Sequence, residues 1–107
     1  MDCYKDAYFL ARFSAFQGCY RDRMPDRDLP VRFSKFDMTP EWCVGRCKLA
    51  GYKFAGLQYA YLCFCGNRFG NYGAASITKC SSRCYGDKNR HCGAFWHNSI
   101  YSIGMSG

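Results

Sequence analysis

The chain has 107 residues, nine of them cysteine, and fifteen Lys/Arg against eight Asp/Glu, a formal charge of +7. That length holds one domain with a modest core, and the cysteine density approaches that of a disulfide scaffold, which a reducing compartment would not keep closed. No stretch is long or apolar enough to span a membrane, and the densest basic run, Arg21 to Arg32, is broken by Asp22, Asp26 and Asp28, unlike the concentrated stripe of a nucleic-acid binder.

Residues 1–17 read as an N-terminal extension. Phe9, Phe13 and Phe16 recur at helical spacing, so a short helix or an irregular cover over the core both fit. Arg12 interrupts this apolar stretch and Gly18-Cys19 follows at once, so it is not a secretion signal, and a mature chain or excised module is expected. Residues 23–36 read as a loop and an edge strand. Met24-Pro25 and Leu29-Pro30 turn the chain from helix, and Val31 and Phe33 alternate with Arg32 and Ser34.

The clearest element is a helix from Pro40 to about Ala50. Thr39 suits the N-cap, Pro40 the first helical position and Glu41 the first turn, while Gly51 terminates it in the left-handed region. Met38 and Cys43 hold the hydrophobic staple positions. Cys43 and Cys47, four apart, face one way, and each is expected to bridge to a different element.

Tyr52 to Gly56 reads as a short strand. The run from Leu57 to Phe64 reads as a continuous one, with Leu57, Tyr59, Tyr61 and Cys63 on one side. Cys63 and Cys65 share one face of a regular strand, within reach of the same helix. Gly66-Asn67 breaks the strand, and Arg68 to Ser76 reads as an exposed loop. Cys80 to Cys92 is turn-rich. In the last strand, Phe95, His97, Ser99, Tyr101 and Ile103 form the expected inward face. Residues 104–107 read as a frayed tail. The expected fold class is α+β: one main helix packed on a small antiparallel sheet and cross-linked by disulfides.

Eight cysteines can pair, in any of 105 ways, and one is left over, free or bonded to another chain. Zinc is the rival use, but Cys43-x3-Cys47, Cys63-x-Cys65 and Cys80-x3-Cys84 lack the usual C-x2-C pairs, and His91 and His97 fall outside zinc-finger spacing. No metal or other cofactor is expected. Catalysis is not expected either: the cysteines are committed to structure, His91 reads as a solvated turn residue, His97 as a surface one and Asp22 as a backbone-bonding carboxylate.

The stretch from Gly18 to Tyr101 resembles the WSC domain family, the cysteine-rich domain of cell-wall stress sensors and Kremen-type receptors. Gly18-Cys19-Tyr20-Arg21-Asp22 matches the family opening, Arg27-Asp28-Leu29 the segment after it and Met38-Thr39-Pro40-Glu41-x-Cys43-x3-Cys47 the capped helix. Gly51 to Gln58, Cys63-Phe64-Cys65-Gly66-Asn67, Tyr72-Gly73, Cys80-x3-Cys84-x-Gly86, Cys92-Gly93 and Ser99-Ile100-Tyr101 complete the pattern. The resemblance implies a PAN/apple-like unit over residues 18–103 with four disulfides among Cys19, Cys43, Cys47, Cys63, Cys65, Cys80, Cys84 and Cys92, which singles out Cys3 as the extra cysteine. Ala94 departs from the pattern where the family often has glycine.

The same resemblance implies carbohydrate binding, including wall glucans, in an extracellular or cell-surface protein. The residues agree in kind. Nine Tyr, nine Phe and two Trp exceed what so small a core consumes. Flat aromatic faces cover the C–H faces of sugars, while amides and guanidinium groups bond hydroxyls. The candidate binding residues are Tyr59, Tyr61, Asn67, Arg68, Asn71, Tyr72, Trp96, Asn98 and Tyr101. The positive charge favours an acidic glycan, and the resemblance implies a cell-wall polysaccharide. The alternative is a protein-interaction module, or a homodimer through the N-terminal segment and Cys3, since Tyr, Trp and Arg also dominate protein hot spots. A concave aromatic groove with convergent Asn and Arg favours glycan, and a flat patch around the N-terminal Phe residues favours self-association.

Overall fold

Residues 14–104 are described by the structure, a computed structural model. Helix α1 (Pro40–Leu49) forms where its end signals place it. The Thr39 hydroxyl accepts from the Trp42 backbone N–H at 3.1 Å, and Gly51 sits at φ +88°. Met38 and Cys43 are both buried in one cluster beneath the helix, as a staple requires.

The strands are β1 (Ala15–Arg21), β2 (Val31–Ser34), β3 (Phe54–Gln58), β4 (Leu62–Gly66), β5 (Ala74–Ala75), β6 (Arg83–Cys84), β7 (Asp87–His91) and β8 (His97–Ser102). Six of them form an antiparallel sheet in the order β2-β4-β3-β8-β1-β5, and β6 pairs with β7 alone. The fold class is therefore α+β, with one α-helix, among the described residues, on an antiparallel sheet. β2 is an edge strand as its alternation predicts, paired only to β4.

Helix α1 covers one sheet face, where Met38, Val44, Ala55, Leu57 and the buried cysteines of the helix and β4 meet. On the opposite face, Leu29, Phe64 and Ile100 pack with Tyr20, Phe54, Leu62 and Phe69. The loops that supply Leu29 and Phe69 are stitched together by the buried Asp28 carboxylate, which accepts from Gly70 N and Asn71 N at 2.8 and 2.9 Å. The disulfides are Cys19–Cys80, Cys43–Cys63, Cys47–Cys65 and Cys84–Cys92. Cys3 lies outside the described residues, as does most of the 1–17 extension.

Several local expectations are corrected. Cys43 and Cys47 bridge to the same strand, β4, because Cys63 and Cys65 point to the face that α1 covers. The run Leu57 to Phe64 is two strands, since Tyr59 and Ala60 adopt φ of 53° and 72° and fold it into a hairpin. Phe16 belongs to β1, not to a helix or an irregular cover. The loop from Arg68 to Ser76 contains β5, which closes the sheet against β1. β8 lies between β3 and β1, so both its edges are paired, and layers on the two sides of the sheet bury Asn98 and Ile100 on one face and Ser99 on the other, while Phe95, expected inward, is exposed. The tail's Gly104 is held by a hydrogen bond from Lys48 Nζ to its carbonyl at 3.2 Å, and residues 105–107 lie outside the described chain.

Candidate functional site

Three turns converge at one end of the sheet. The β3–β4 hairpin presents Tyr59 and Tyr61, the β6–β7 turn presents Tyr85, and the turn before β8 presents Phe95 and Trp96. They are held together through their backbones. Ala60 N donates to Cys92 O at 3.1 Å and Tyr85 N to Ala60 O at 3.2 Å. Ala94 and His97 exchange hydrogen bonds of 3.0 Å across the Phe95–Trp96 tip, where Trp96 takes φ 61°. The neighbouring Gly93 is at φ +68° and has the Leu57 carbonyl where its Cβ would stand, 2.0 Å away. Only glycine lets these backbones close on one another.

The result is a continuous aromatic ridge. Phe36 meets Tyr85 at 6.2 Å between ring centroids, Tyr85 stacks on Tyr61 at 5.7 Å, and Tyr61 meets Tyr59 at 6.2 Å. Tyr59 then meets Phe95 at 5.6 Å, and Phe95 meets Trp96 at 5.4 Å. Phe36 is 86%, Phe95 64%, Tyr85 47% and Tyr59 46% exposed, so these rings face solvent instead of filling the core. At one end, Lys35 and Asp37 pair at 2.9 Å on either side of Phe36, and the hydrogen bond from Lys35 holds the Asp37 carboxyl below its usual range.

The other end rests on a buried polar network. Asp22 accepts from the backbones of Arg23 and Asp28, from Arg27 Nε at 2.8 Å and from Gln58 Nε2 at 2.9 Å. Gln58 also accepts from Arg27 Nη2 at 3.0 Å and donates to Asn98 Oδ1 at 2.9 Å. The Arg27 guanidinium lies over both the Phe64 ring, at 4.5 Å, and the Trp96 ring, at 4.9 Å. Asp22 N donates to Trp96 O at 2.9 Å. Asp22 thus ties its loop to the sheet through Gln58, and Asp28 ties two loops together.

The nine candidates named from sequence do not form one site. Tyr59, Tyr61 and Trp96 stand in the ridge. Tyr72 donates to Asp26 O with Arg23 4.3 Å over its ring, and Asn71 is exposed beside it. Asn67 and Arg68 are exposed at the far end of β4, where Asn67 Oδ1 accepts from Lys53 N at 3.1 Å. Tyr101 is half-buried against Phe16, ring centroids 5.3 Å apart. Asn98 is 0% exposed, so its role is in the interior network. Phe36, Tyr85 and Phe95 complete the ridge without having been candidates. Tyr85 beside Gly86-Asp87 carried the signal of an aromatic on a turn tip, whereas Phe36 and Phe95 carried none that alternation could read.

The sulfurs of Cys43, Cys47 and Cys63 lie within 4.8 Å of one another. They belong to two adjacent disulfides, and a sulfur bonded in a disulfide is not the thiolate a metal requires.

A sheet with helix α1 packed on one face and four disulfides among the described residues, with aromatic rings displayed on its turns, defines a small cysteine-rich module of the extracellular type. The chain belongs to the WSC domain family: the WSC domain model matches residues 16–94. It is 37% identical over 79 residues to human Kremen protein 1, covering 71% of this chain and 17% of that protein. It is 39% identical over 88 residues to a WSC domain-containing protein of Arthroderma benhamiae, covering 80% of this chain and 12% of that protein. It is 34% identical over 94 residues to xylosyltransferase oxt of Drosophila pseudoobscura pseudoobscura, covering 83% of this chain and 10% of that protein. The chain thus spans less than a fifth of the length of each of these relatives. Among the described residues, no helix is long and apolar enough to cross a membrane.

Proposed function

We propose that this domain is a non-catalytic, lectin-like module of an extracellular or cell-surface protein, binding glycan along the ridge from Phe36 to Trp96. The observation that carries the reading is the exposure of successive aromatic rings on three backbone-locked turns. Rings in such a row offer stacking faces to consecutive sugar units, and the phenol hydroxyls of Tyr59, Tyr61 and Tyr85 supply hydrogen bonds. Preformed platforms lose little entropy on binding. The similarity to the xylosyltransferase brings no activity here, since it covers 10% of that protein.

The competing reading is a protein-binding surface, and the bare phenyl rings of Phe36 and Phe95 favour it. Calorimetric titration with wall-type and acidic oligosaccharides separates the two. The expected outcome is saturable binding at millimolar concentration or below, weakened at least fivefold by Tyr59→Ala and unchanged by Leu49→Ala, an exposed residue on the helix. Binding to no oligosaccharide, or equal binding by both variants, rejects the ridge as a glycan site.

A further inference from the structure

The Trp96 end of the ridge differs chemically from the rest. Arg27 is fixed there with Nε on Asp22 and Nη2 on Gln58, its side chain 18% exposed. Its remaining nitrogen, Nη1, faces only the thioether of Met24 at 3.4 Å, and a thioether is a weak acceptor. Met24 is itself 60% exposed and easily moved aside. A guanidinium held rigid on two sides, stacked on an aromatic ring and left with an under-used donor is preorganised for an oxyanion.

The surrounding charge points the same way. Arg23 is exposed over the Tyr72 ring and has no carboxylate partner among the described residues. Of the carboxylates in the same loop, Asp22 and Asp28 are buried and engaged, leaving Asp26 as the exposed one. Elsewhere, Asp37 and Glu41 are neutralised by Lys35 and Arg90. Among the described residues, Asp22, Asp28, Asp37 and Glu41 are thus internal or paired, leaving Asp26 and Asp87, whereas Arg21, Arg23, Arg32, Lys53 and Arg68 face solvent.

We propose that the Trp96 end of the ridge is a subsite for an anionic sugar unit, a uronate carboxylate or a sulfate ester, held by Arg27 Nη1, with Arg23, four positions earlier in the same loop, adding positive charge. This inference rests on the glycan-binding reading above. A neutral sugar stacks on the ridge without using either arginine; an acidic one adds a charge-assisted hydrogen bond to a fixed donor.

The test is calorimetry with three oligosaccharides of equal length, one of uronic acids, one sulfated and one neutral, each at low and raised salt. The expected result is tighter binding of an acidic series, weakening as salt rises, and the tighter of the two names the anionic group. Arg23→Gln is expected to lower acidic affinity about tenfold and to leave neutral affinity unchanged. Lys53→Gln removes the same charge at the far end of β3 and is expected to change neither. Arg27→Lys keeps the charge but loses the rigid fork, and should abolish the acidic preference. If that variant does not fold, the comparison of Arg23→Gln with Lys53→Gln decides. Equal affinity for neutral and acidic sugars overturns the subsite while leaving the ridge standing. Equal losses from Arg23→Gln and Lys53→Gln overturn it as well, since they indicate a diffuse field. Failure of all three sugars removes the ridge and the subsite together.

Discussion

Gly93 and Gly51 are both left-handed, at φ +68° and +88°, but their surroundings differ. A Cβ at Gly51 meets open space, while one at Gly93 would stand 2.0 Å from Leu57 O and 2.6 Å from His97 O. Gly51→Ala should therefore cost only the left-handed penalty, about 1 kcal/mol. Gly93→Ala adds an overlap with backbone that has no flexible end to yield, so a cost of about 3 kcal/mol or more is expected. Urea denaturation of the two variants measures this, and similar midpoints would contradict the close packing at Gly93. Tyr59 and Trp96 also hold positive φ without being glycine, at a cost of about 1–3 kcal/mol each. Both rings stand on the ridge, and the third such residue, the buried Ala60, lies between Tyr59 and Tyr61 in the same turn.

At the scale of elements, the disulfides divide the work unequally. Cys43–Cys63 and Cys47–Cys65 clamp α1 onto β4 across separations of 20 and 18 residues. Cys19–Cys80 closes 61 residues, while Cys84–Cys92 closes 8 within the β6–β7 hairpin. Loop-closure entropy then makes loss of the long bridge, by Cys19→Ala with Cys80→Ala, about 2 kcal/mol more destabilising than loss of Cys84–Cys92 by the same double change. All four cysteines are buried, so the substitutions are matched in environment and denaturation midpoints compare directly. Helix α1 is legible in the sequence because its signals are local: a cap hydroxyl, a proline, a terminal glycine. The β3–β4 hairpin is not. No Asn-Gly or Asp-Gly marks its turn, and the positive-φ pair Tyr59-Ala60 is anchored through Ala60, whose backbone bonds to Cys92 and Tyr85, residues more than twenty positions away.

For the whole molecule, the cross-links dominate stability. Each is worth about 2–4 kcal/mol, against a total of about 5–15 kcal/mol for a typical domain. Complete reduction should unfold the chain, with loss of native tryptophan fluorescence and of far-UV structure. A native spectrum with all nine thiols titrated would refute this. In the oxidised chain, denatured without reductant, thiol titration should find Cys3 alone, or a dimer joined through it. The candidate site was only partly legible at this scale. Tyr59, Tyr61 and Trp96, candidates by residue type, stand in the ridge, whereas Asn98 lies in the interior because layers on both sides of the sheet bury the central strand.

The order of residues along the chain by itself determined the capped helix, the cysteine framework, the oxidising setting and the WSC pattern, since each depends on neighbours in sequence or on composition. Only the tertiary structure decided which cysteines pair, where the long β-like run turns back and which aromatics reach solvent. Those outcomes depend on contacts between segments distant in the chain, and residue type is blind to them: a tyrosine has the same apolar face whether it meets the core or water.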